Sequence, residues 1–578
     1  MSSHDHEMAG EMEAATAVAF SDSSSSNRLW KCGRVSFSFV TLLSVFAAMG
    51  GFLFGYDIGV IGGVKDMEEF RRYFGEPSYT RDNITGKNTT EWKVSDVNQG
   101  WIVGSFSLGC LVGALIAGVV AERRGRRITV LLGSVIFTVG GLVQALSYYI
   151  WMVYLGRVVA GFGVGILSMI VPVYNAEVSP AEHRGRLVSL NQLSITAGIM
   201  VSFLINLACE TYVHGWRISL ALQALFSILL FVGMLYAPET PRYLMKTNKR
   251  ARAVNVMSWI RTGHKRHITS ETEVSKAVLE EVDSIANEIQ EGAVQGNGTW
   301  AEVFEWTSFK RLLIGMWVQL FQQFTGMNII MYYSTGIFST IGVSPYLSTA
   351  LVGIINFLTT FGTLVLVDKV GRKVLLLLGG LGMAISTALG ATVITASGGN
   401  DNLTTSDGSL VVICVCVFVF SFALTWGPVA WVVTSEIFPL RLRGKLVSIT
   451  TASNWAGNFA IAFGTPLLLK PSVLDVQGTL FLMSACNVAA LVFILLAVPE
   501  TKGRSLESMD ELFEQRSVLD SADYKYYLRC IQSYMNENYS GLIMPCNSPN
   551  ARRTVAVAIL AAATVVVMFS MFPWLSGS

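Results

Sequence analysis

The sequence predicts an all-α membrane protein built as two six-helix halves, related by a pseudo-twofold axis around a central cavity. Three observations predict it. The composition is 52% hydrophobic and 14% charged, against about 25% charged in an average soluble domain. Apolar stretches recur that are long enough to cross a bilayer, which takes roughly 20 residues. The polar blocks between them occur twice in the same order, the mark of a repeated helical bundle. Glu122-Arg-Arg-Gly-Arg-Arg127 returns as Asp368-Lys-Val-Gly-Arg-Lys373, Glu177 and Pro180 as Glu436 and Pro439, Arg184-Gly-Arg-Leu-Val-Ser189 as Arg443-Gly-Lys-Leu-Val-Ser448, and Pro238-Glu-Thr240 as Pro499-Glu-Thr501.

Taken in order, residues 1–34 are polar and Ser-rich without the layout of a cleaved leader, and read as a disordered cytosolic tail. Residues 35–237 form the first half, with spans near 37–62, 99–121, 128–147, 151–173, 188–208 and 217–237. Residues 238–311 are charged, with apolar positions at helical spacing (Val278, Leu279, Val282, Ile285), and predict a cytosolic linker with short amphipathic helices. Residues 312–498 form the second half, with spans near 312–337, 346–367, 374–396, 410–434, 446–468 and 476–497. A cytosolic tail follows at 499–550 and a last apolar segment at 551–578.

Loop charges give the orientation. Arg123, Arg124, Arg126, Arg127, Arg184, Arg186, Lys369, Arg372, Lys373, Arg441, Arg443 and Lys445 all fall on one side of the alternation, while the loops near 147–150, 209–216 and 397–409 carry no Lys or Arg. The basic side and both ends of the bundle are therefore expected in the cytosol, and the plasma membrane is the expected location. The outer loop at 64–98 holds the glycosylation sequons Asn83-Ile-Thr85 and Asn88-Thr-Thr90, and the loop at 397–409 holds Asn402-Leu-Thr404; Asn297-Gly-Thr299 lies on the cytosolic side. The net charge of +2 is no signal for nucleic acid, because the basic residues sit in loops. Cys32, Cys110, Cys209, Cys414, Cys416, Cys486, Cys530 and Cys546 lack metal-ligand spacing. No phosphate-binding glycine loop, carboxylate pair or nucleophile motif points to an enzyme, and no cofactor is implied.

Polar residues inside apolar segments carry the functional signal. Asp57 and Arg157 each lie in a span, where a charge costs about 2.5–3.5 kcal/mol even on insertion scales. Gln192, Gln322, Gln323, Asn328, Asn356, Asn454 and Asn458 also lie in spans. Asn454 and Asn458 are one helical turn apart and share a face, beside Trp455. An ideal helix would not bring Gln322, Gln323 and Asn328 together, but a break at Gly326 would. Either these amides bind a ligand or they hold helices together. Glu122, Arg126, Glu177 and Arg184, repeated as Asp368, Arg372, Glu436 and Arg443, sit at cytosolic helix ends. Their repetition predicts a clasp between the halves that closes the inner mouth.

With these motifs in register from about residue 35 to about residue 515, the chain resembles the sugar porter family of the major facilitator superfamily. The resemblance rests on Phe54-Gly-Tyr-Asp57, Glu122 to Arg127, Gly156-Arg157, Pro238-Glu-Thr-Pro-Arg242, Gln322-Gln323 with Asn328, Trp426-Gly-Pro-Val-Ala-Trp431, Glu436-Ile-Phe-Pro439 and Pro499-Glu-Thr-Lys-Gly503. The wording from Trp426 to Asn458 is most similar to fungal hexose carriers and bacterial proton–xylose carriers. Animal glucose facilitators carry a glutamate eight residues before Trp431; here the residue is Ala423.

The resemblance implies the major facilitator fold and transport of D-glucose and similar monosaccharides by alternating access, by a carrier that works as a monomer. It places sugar contact on the seven amides, whose side chains both donate and accept, and on Phe54 and Trp431, with Trp426 and Tyr332 as further aromatic positions. It gives Asp57, paired with Arg157, the role of proton coupling. Burial favours a neutral carboxyl and a guanidinium favours the carboxylate, so a changing distance between them would switch proton affinity. A passive hexose facilitator with a static ion pair, or a non-transporting sugar receptor of the same fold, are the alternatives. Receptors of that kind usually carry a much longer cytosolic tail.

The end of the chain departs from the family. Thr554 to Phe572 is apolar apart from its threonines and Ser570, is preceded by Arg552 and Arg553 and followed by Trp574. It predicts an extra membrane helix outside the sugar path; translated intron sequence is the competing reading.

Overall fold

The structure, a computed structural model, describes residues 39–81, 88–180, 184–262, 275–294, 299–439, 442–502 and 513. The predicted tails at 1–34 and 551–578, most of 499–550, the sequons at Asn83 and Asn297, and Cys32, Cys530 and Cys546 lie outside these residues.

The first half places six spans at Phe39–Val64, Asp96–Arg124, Arg126–Ala145, Ile150–Val178, Arg184–Cys209 and Gly215–Tyr236. The second half begins with a span in two pieces, Trp306–Phe324 and Met327–Thr340. Pro345–Val370 and Arg372–Ala396 form the eighth and ninth spans. The tenth is again in two pieces, Thr405–Leu424 and Trp426–Glu436, before Arg443–Leu468 and Asp475–Ala497 complete the bundle. The halves meet where the second span lies along the eleventh and the fifth along the eighth.

Among the described residues, ten helices are long and apolar enough to cross a membrane. The spans that fall short are the seventh and the eleventh, and their composition says why. The seventh carries Lys310, Arg311, Gln319, Gln322 and Gln323; the eleventh carries Arg443, Lys445, Asn454 and Asn458. These two spans trade hydropathy for the polar groups of the central site.

Both broken spans break for local reasons. Gly326 sits at φ 92°, a left-handed conformation, and the next helix starts from it. A Cβ there would lie 2.5 Å from the Met483 side chain, so glycine is required by conformation and by space. In the tenth span the break falls at Thr425, three residues before Pro428. Proline cannot donate to the carbonyl one turn earlier, so the ladder is interrupted there.

At one end of the bundle, the short helix Glu68–Phe74 leads into a hairpin of β1 (Glu76–Arg81) and β2 (Asn88–Lys93), antiparallel with Glu76 opposite Lys93 and Arg81 opposite Asn88. At this hairpin end the halves are tied together. Asp96 pairs with Lys470 at 3.0 Å, the Tyr346 hydroxyl donates to the Gly63 carbonyl at 3.2 Å, and the Lys65 ammonium lies 4.7 Å from the centre of the Tyr333 ring.

At the opposite end lies the linker, with helices Pro241–Lys246, Arg250–Thr262, Lys276–Val294 and Trp300–Val303. Val254 and Met257 pack on Val278 and Val282 as a small core of their own. Spacings of three and four residues put these on one face of each helix. Arg261 joins this layer to the first half by donating to the Val178 carbonyl at 3.1 Å and to Glu281.

Candidate functional site

The seventh and eleventh spans, both of the second half, build a network of neutral amides. Gln322 donates from Nε2 to the Trp426 and Gly427 carbonyls at 3.0 and 2.9 Å, and its Oε1 accepts from Asn454 at 2.7 Å. Gln323 donates to Asn454 Oδ1 at 3.1 Å, and its Oε1 accepts from Asn328 and, at 3.3 Å, from Asn458. The break at Gly326 is what turns Asn328 back toward Gln323, five residues earlier. Asn458 Oδ1 accepts two further bonds, from the Tyr332 hydroxyl at 3.2 Å and from the Ser107 hydroxyl at 2.7 Å. Ser107 belongs to the second span, so this last bond crosses from one half to the other.

Of the residues expected to bind sugar, the structure thus joins Gln322, Gln323, Asn328, Asn454 and Asn458 by hydrogen bonds. Phe54 borders them through Trp455, whose ring centre lies 5.0 Å from its own. Gln192 is half-buried, with Nε2 3.5 Å from where a Cβ on Gly427 would stand. Asn356 is buried on the eighth span and Trp431 half-buried on the tenth, both outside the hydrogen-bonded network. Trp426 points elsewhere: it is fully buried and its indole donates to the Leu376 carbonyl at 2.8 Å, so it contributes a backbone carbonyl rather than an aromatic face.

Sequence reasoning missed Gln319 and Ser107. Gln319 accepts from Asn454 at 2.7 Å and donates to Thr434 at 3.2 Å. It stands three residues before Gln322, a spacing that would have placed it on the same face. Ser107 gave no signal, because a lone hydroxyl in an apolar span bonds its own helix as readily as anything else.

Asp57 and Arg157 form an ion pair with both side chains fully buried. Arg157 is held from the second span: it donates to the Ile102 carbonyl at 2.9 Å and the Val103 carbonyl at 3.3 Å, and its guanidinium lies 4.6 Å from the centre of the Phe106 ring. Asp57 uses Oδ2 for the pair, and its Oδ1 has no hydrogen-bond partner among the described residues. Removing either partner alone would leave an uncompensated buried charge.

Of the charges expected to clasp the halves together, two pairs form within a half. Arg126 meets Glu177 at 2.8 Å and Arg372 meets Glu436 at 2.9 Å. Each arginine opens a helix right after a glycine turn, and that turn aims it at the end of a helix in its own half. Arg126 also donates to the Ala121 carbonyl and Arg372 to the Val367 carbonyl. Arg443 donates to the Phe438 carbonyl at 3.4 Å, again within the half, and Glu122 is exposed, 3.8 Å from Lys246 of the linker. The side chains of Arg184 and Asp368 lie outside the described residues.

The same doubling extends to the repeated Pro-Glu-Thr blocks. Glu239 accepts from the backbone N–H groups of Arg126 and Arg127, and Glu500 from those of Arg372 and Lys373. Gly125 and Gly371, at φ 95° and 107°, make room: a Cβ on them would lie 2.3 and 2.8 Å from those carboxylates. Burial pushes the Glu239 carboxyl above the ordinary glutamate range, against the N–H groups of Thr240, Arg127 and Arg126 that lower it.

Comparison with known proteins agrees with this architecture. A family model described as "Sugar (and other) transporter" matches residues 43–513. The galactose transporter of Saccharomyces cerevisiae is 35% identical over 489 residues, covering 82% of this chain and 81% of that protein. Hexose transporter 2 of Kluyveromyces lactis is 35% identical over 497 residues, covering 83% and 84%. Among solved structures, the proton:xylose symporter XylE bound to 6-bromo-6-deoxy-D-glucose aligns with a TM-score of 0.66 at 29% identity, covering 83% of this chain and 100% of that one; an inward-open structure of the E. coli protein aligns equally well, with a TM-score of 0.66.

Proposed function

Because the chain belongs to the sugar (and other) transporter family, we propose that it carries a hexose, D-glucose or a similar monosaccharide, across a membrane by alternating access. The observation that carries this reading is the amide network of Gln322, Gln323, Asn328, Asn454 and Asn458. In it, buried donors and acceptors satisfy one another until a polyol replaces some of them. Gln192, Asn356, Phe54 and Trp431 complete the site from the flanking spans.

The linker end faces the cytosol, with the first span entering from that side of the plasma membrane. The halves are joined at the hairpin end, while the charged motifs at the linker end are satisfied within each half. This is the arrangement of a carrier closed to the outside. The pairs Arg126–Glu177 and Arg372–Glu436, with Glu122, Arg184, Asp368 and Arg443 nearby, then act as two rigid units whose approach closes the inner mouth. The chain works as a monomer, since each half already supplies its share of one central site.

Asp57 takes up a proton as the carrier cycles, and its free Oδ1 is the atom that receives it. The name of the proton:xylose symporter among the similar structures supports this coupling. The close hold on Arg157 by two carbonyls and a ring favours the other reading, a passive facilitator whose ion pair stays fixed.

Uptake of labelled hexose by cells lacking their own hexose carriers tests the function. Saturable D-glucose uptake that competing monosaccharides reduce is expected. Absence of uptake by protein present at the cell surface would leave the receptor reading.

A further inference from the structure

The geometry points to Ser107 as the positioning residue that links sugar occupancy to the Asp57–Arg157 pair, through the second span. This rests on the reading above that the chain couples proton and hexose movement.

Asn458 Oδ1 has two lone pairs, and both are in use, by Ser107 and Tyr332. A sugar hydroxyl that donates to this oxygen must displace one of them. Displacing Ser107 releases the only hydrogen bond, among the described residues, between the second span and the amide network. The same span, within the five residues before Ser107, holds the proton pair: Ile102 and Val103 supply the carbonyls that Arg157 grips, and Phe106 supplies the ring beneath its guanidinium. Phe106 also packs edge-on to Trp455, one turn before Asn458, with ring centres 6.1 Å apart. The Ser107–Asn458 bond and the Phe106–Trp455 contact therefore both lie next to the residue that a sugar would engage.

A bound sugar that takes the Asn458 oxygen loosens the second span at this level of the bundle, while Asp96–Lys470 and the packing of Trp101 on Phe459 and Phe463 keep the spans together nearer the hairpin end. The Ile102 and Val103 carbonyls then shift with their own half, Arg157 follows them, and its hold on Asp57 changes while Oδ1 stands ready for a proton. Loss of the proton restores the clamp and favours the Ser107–Asn458 bond again. The other titratable groups facing the pair are Tyr56 on the same helix as Asp57, Cys110 on the second span and Tyr332 on the seventh. None of the three ionises near neutral pH in its ordinary range, so Asp57 is left as the group that responds.

The coupling must be reciprocal: sugar changes proton affinity by the factor by which protons change sugar affinity. The test uses the full chain in proteoliposomes carrying a pH dye, with Ser107→Ala, Ser107→Thr and Ser107→Cys beside the wild type. Sugar-driven proton entry and labelled-sugar counterflow are measured, and the sugar KM is followed against external pH. Ser107→Ala is expected to admit protons without sugar and to flatten the pH dependence of KM by roughly fivefold, the weight of one buried neutral hydrogen bond, with counterflow still measurable. Ser107→Thr, which keeps the hydroxyl, is expected to restore wild-type coupling. Ser107→Cys, close in volume but a weak donor, should behave like Ser107→Ala and guards against a packing effect. A wild type that moves no protons with sugar overturns the coupling reading, and this inference with it. A wild type that does, beside Ser107→Ala and Ser107→Cys with unchanged protons per sugar and unchanged pH dependence, overturns this inference alone.

Discussion

Glu239 and Glu500 stand at matching points of the two halves, and each carboxylate closes the amino end of a helix in its own half. Glu239 takes the N–H groups of Arg126 and Arg127; Glu500 takes those of Arg372 and Lys373. The doubling continues in the basic residues that follow, since Arg127 donates to the Met234 carbonyl and Lys373 to the Leu495 carbonyl, each at 3.0 Å. The repeat in the sequence is thus a repeat of hydrogen bonds.

Glu239→Ala should lower the thermal midpoint of the purified carrier, because losing a helix cap costs about 0.5–2 kcal/mol. Glu239→Gln should cost less, since its oxygen still accepts and no buried charge remains. The Glu239 carboxyl is raised by burial. Its folded form therefore binds protons more readily than its unfolded form, and its contribution to stability falls as pH rises from the ordinary glutamate range through the raised value. A melting series over that range should show a shallower decline for Glu239→Gln than for the wild type. Identical slopes would show that Glu239 titrates alike in both states.

Replacing a member of the amide network leaves its partners buried and unpaired, at about 1–3 kcal/mol. Gln322→Ala strands the Trp426 and Gly427 carbonyls and takes one of its bonds from Asn454, and should cut hexose uptake about tenfold or more at unchanged surface expression. Gln319→Ala should raise KM by a smaller factor, because Gln319 donates to the Thr434 hydroxyl and strands no backbone carbonyl. Gln192→Ala and Asn328→Ala should also cut uptake sharply; normal glucose uptake in both would overturn the site assignment.

Uptake by the wild type should rise as outside pH falls and collapse with a protonophore. Asp57→Asn should remove both responses while exchange of labelled sugar continues. Arg157→Ala should express poorly, since breaking a buried pair costs about 3–5 kcal/mol, and adding Asp57→Asn should recover much of that loss. If wild-type accumulation never exceeds equilibrium, the carrier is passive.

Gly326→Ala places a methyl group 2.5 Å from Met483 in a left-handed backbone conformation. The conformation alone costs about 1–2 kcal/mol. A lower melting temperature and weakened sugar binding are expected together, because the same turn carries Asn328 to Gln323. Wild-type stability with wild-type affinity would show that the break does not depend on glycine.

The sequence by itself determined the two-halved bundle, the number of spans and the amphipathic linker. Bilayer thickness and the need to satisfy every backbone group leave an apolar segment of this length one stable form. It also exposed Asp57, Arg157 and the amides, since a polar group in an apolar span is visible without any neighbour. Tertiary structure alone decided what those groups face. Asn454 and Asn458 share a helix face by spacing, but that they meet Gln319, Gln322 and Gln323 depends on how the eleventh span lies against the seventh. Ser107 is silent in the sequence and acquires meaning only where the second span crosses the eleventh. The charges at Arg126, Glu177, Arg372 and Glu436 were legible as a repeat, yet repetition is equally compatible with pairing across halves and within them. Their reach is a few ångströms, so the turns at Gly125 and Gly371 settled which carboxylate each arginine could touch.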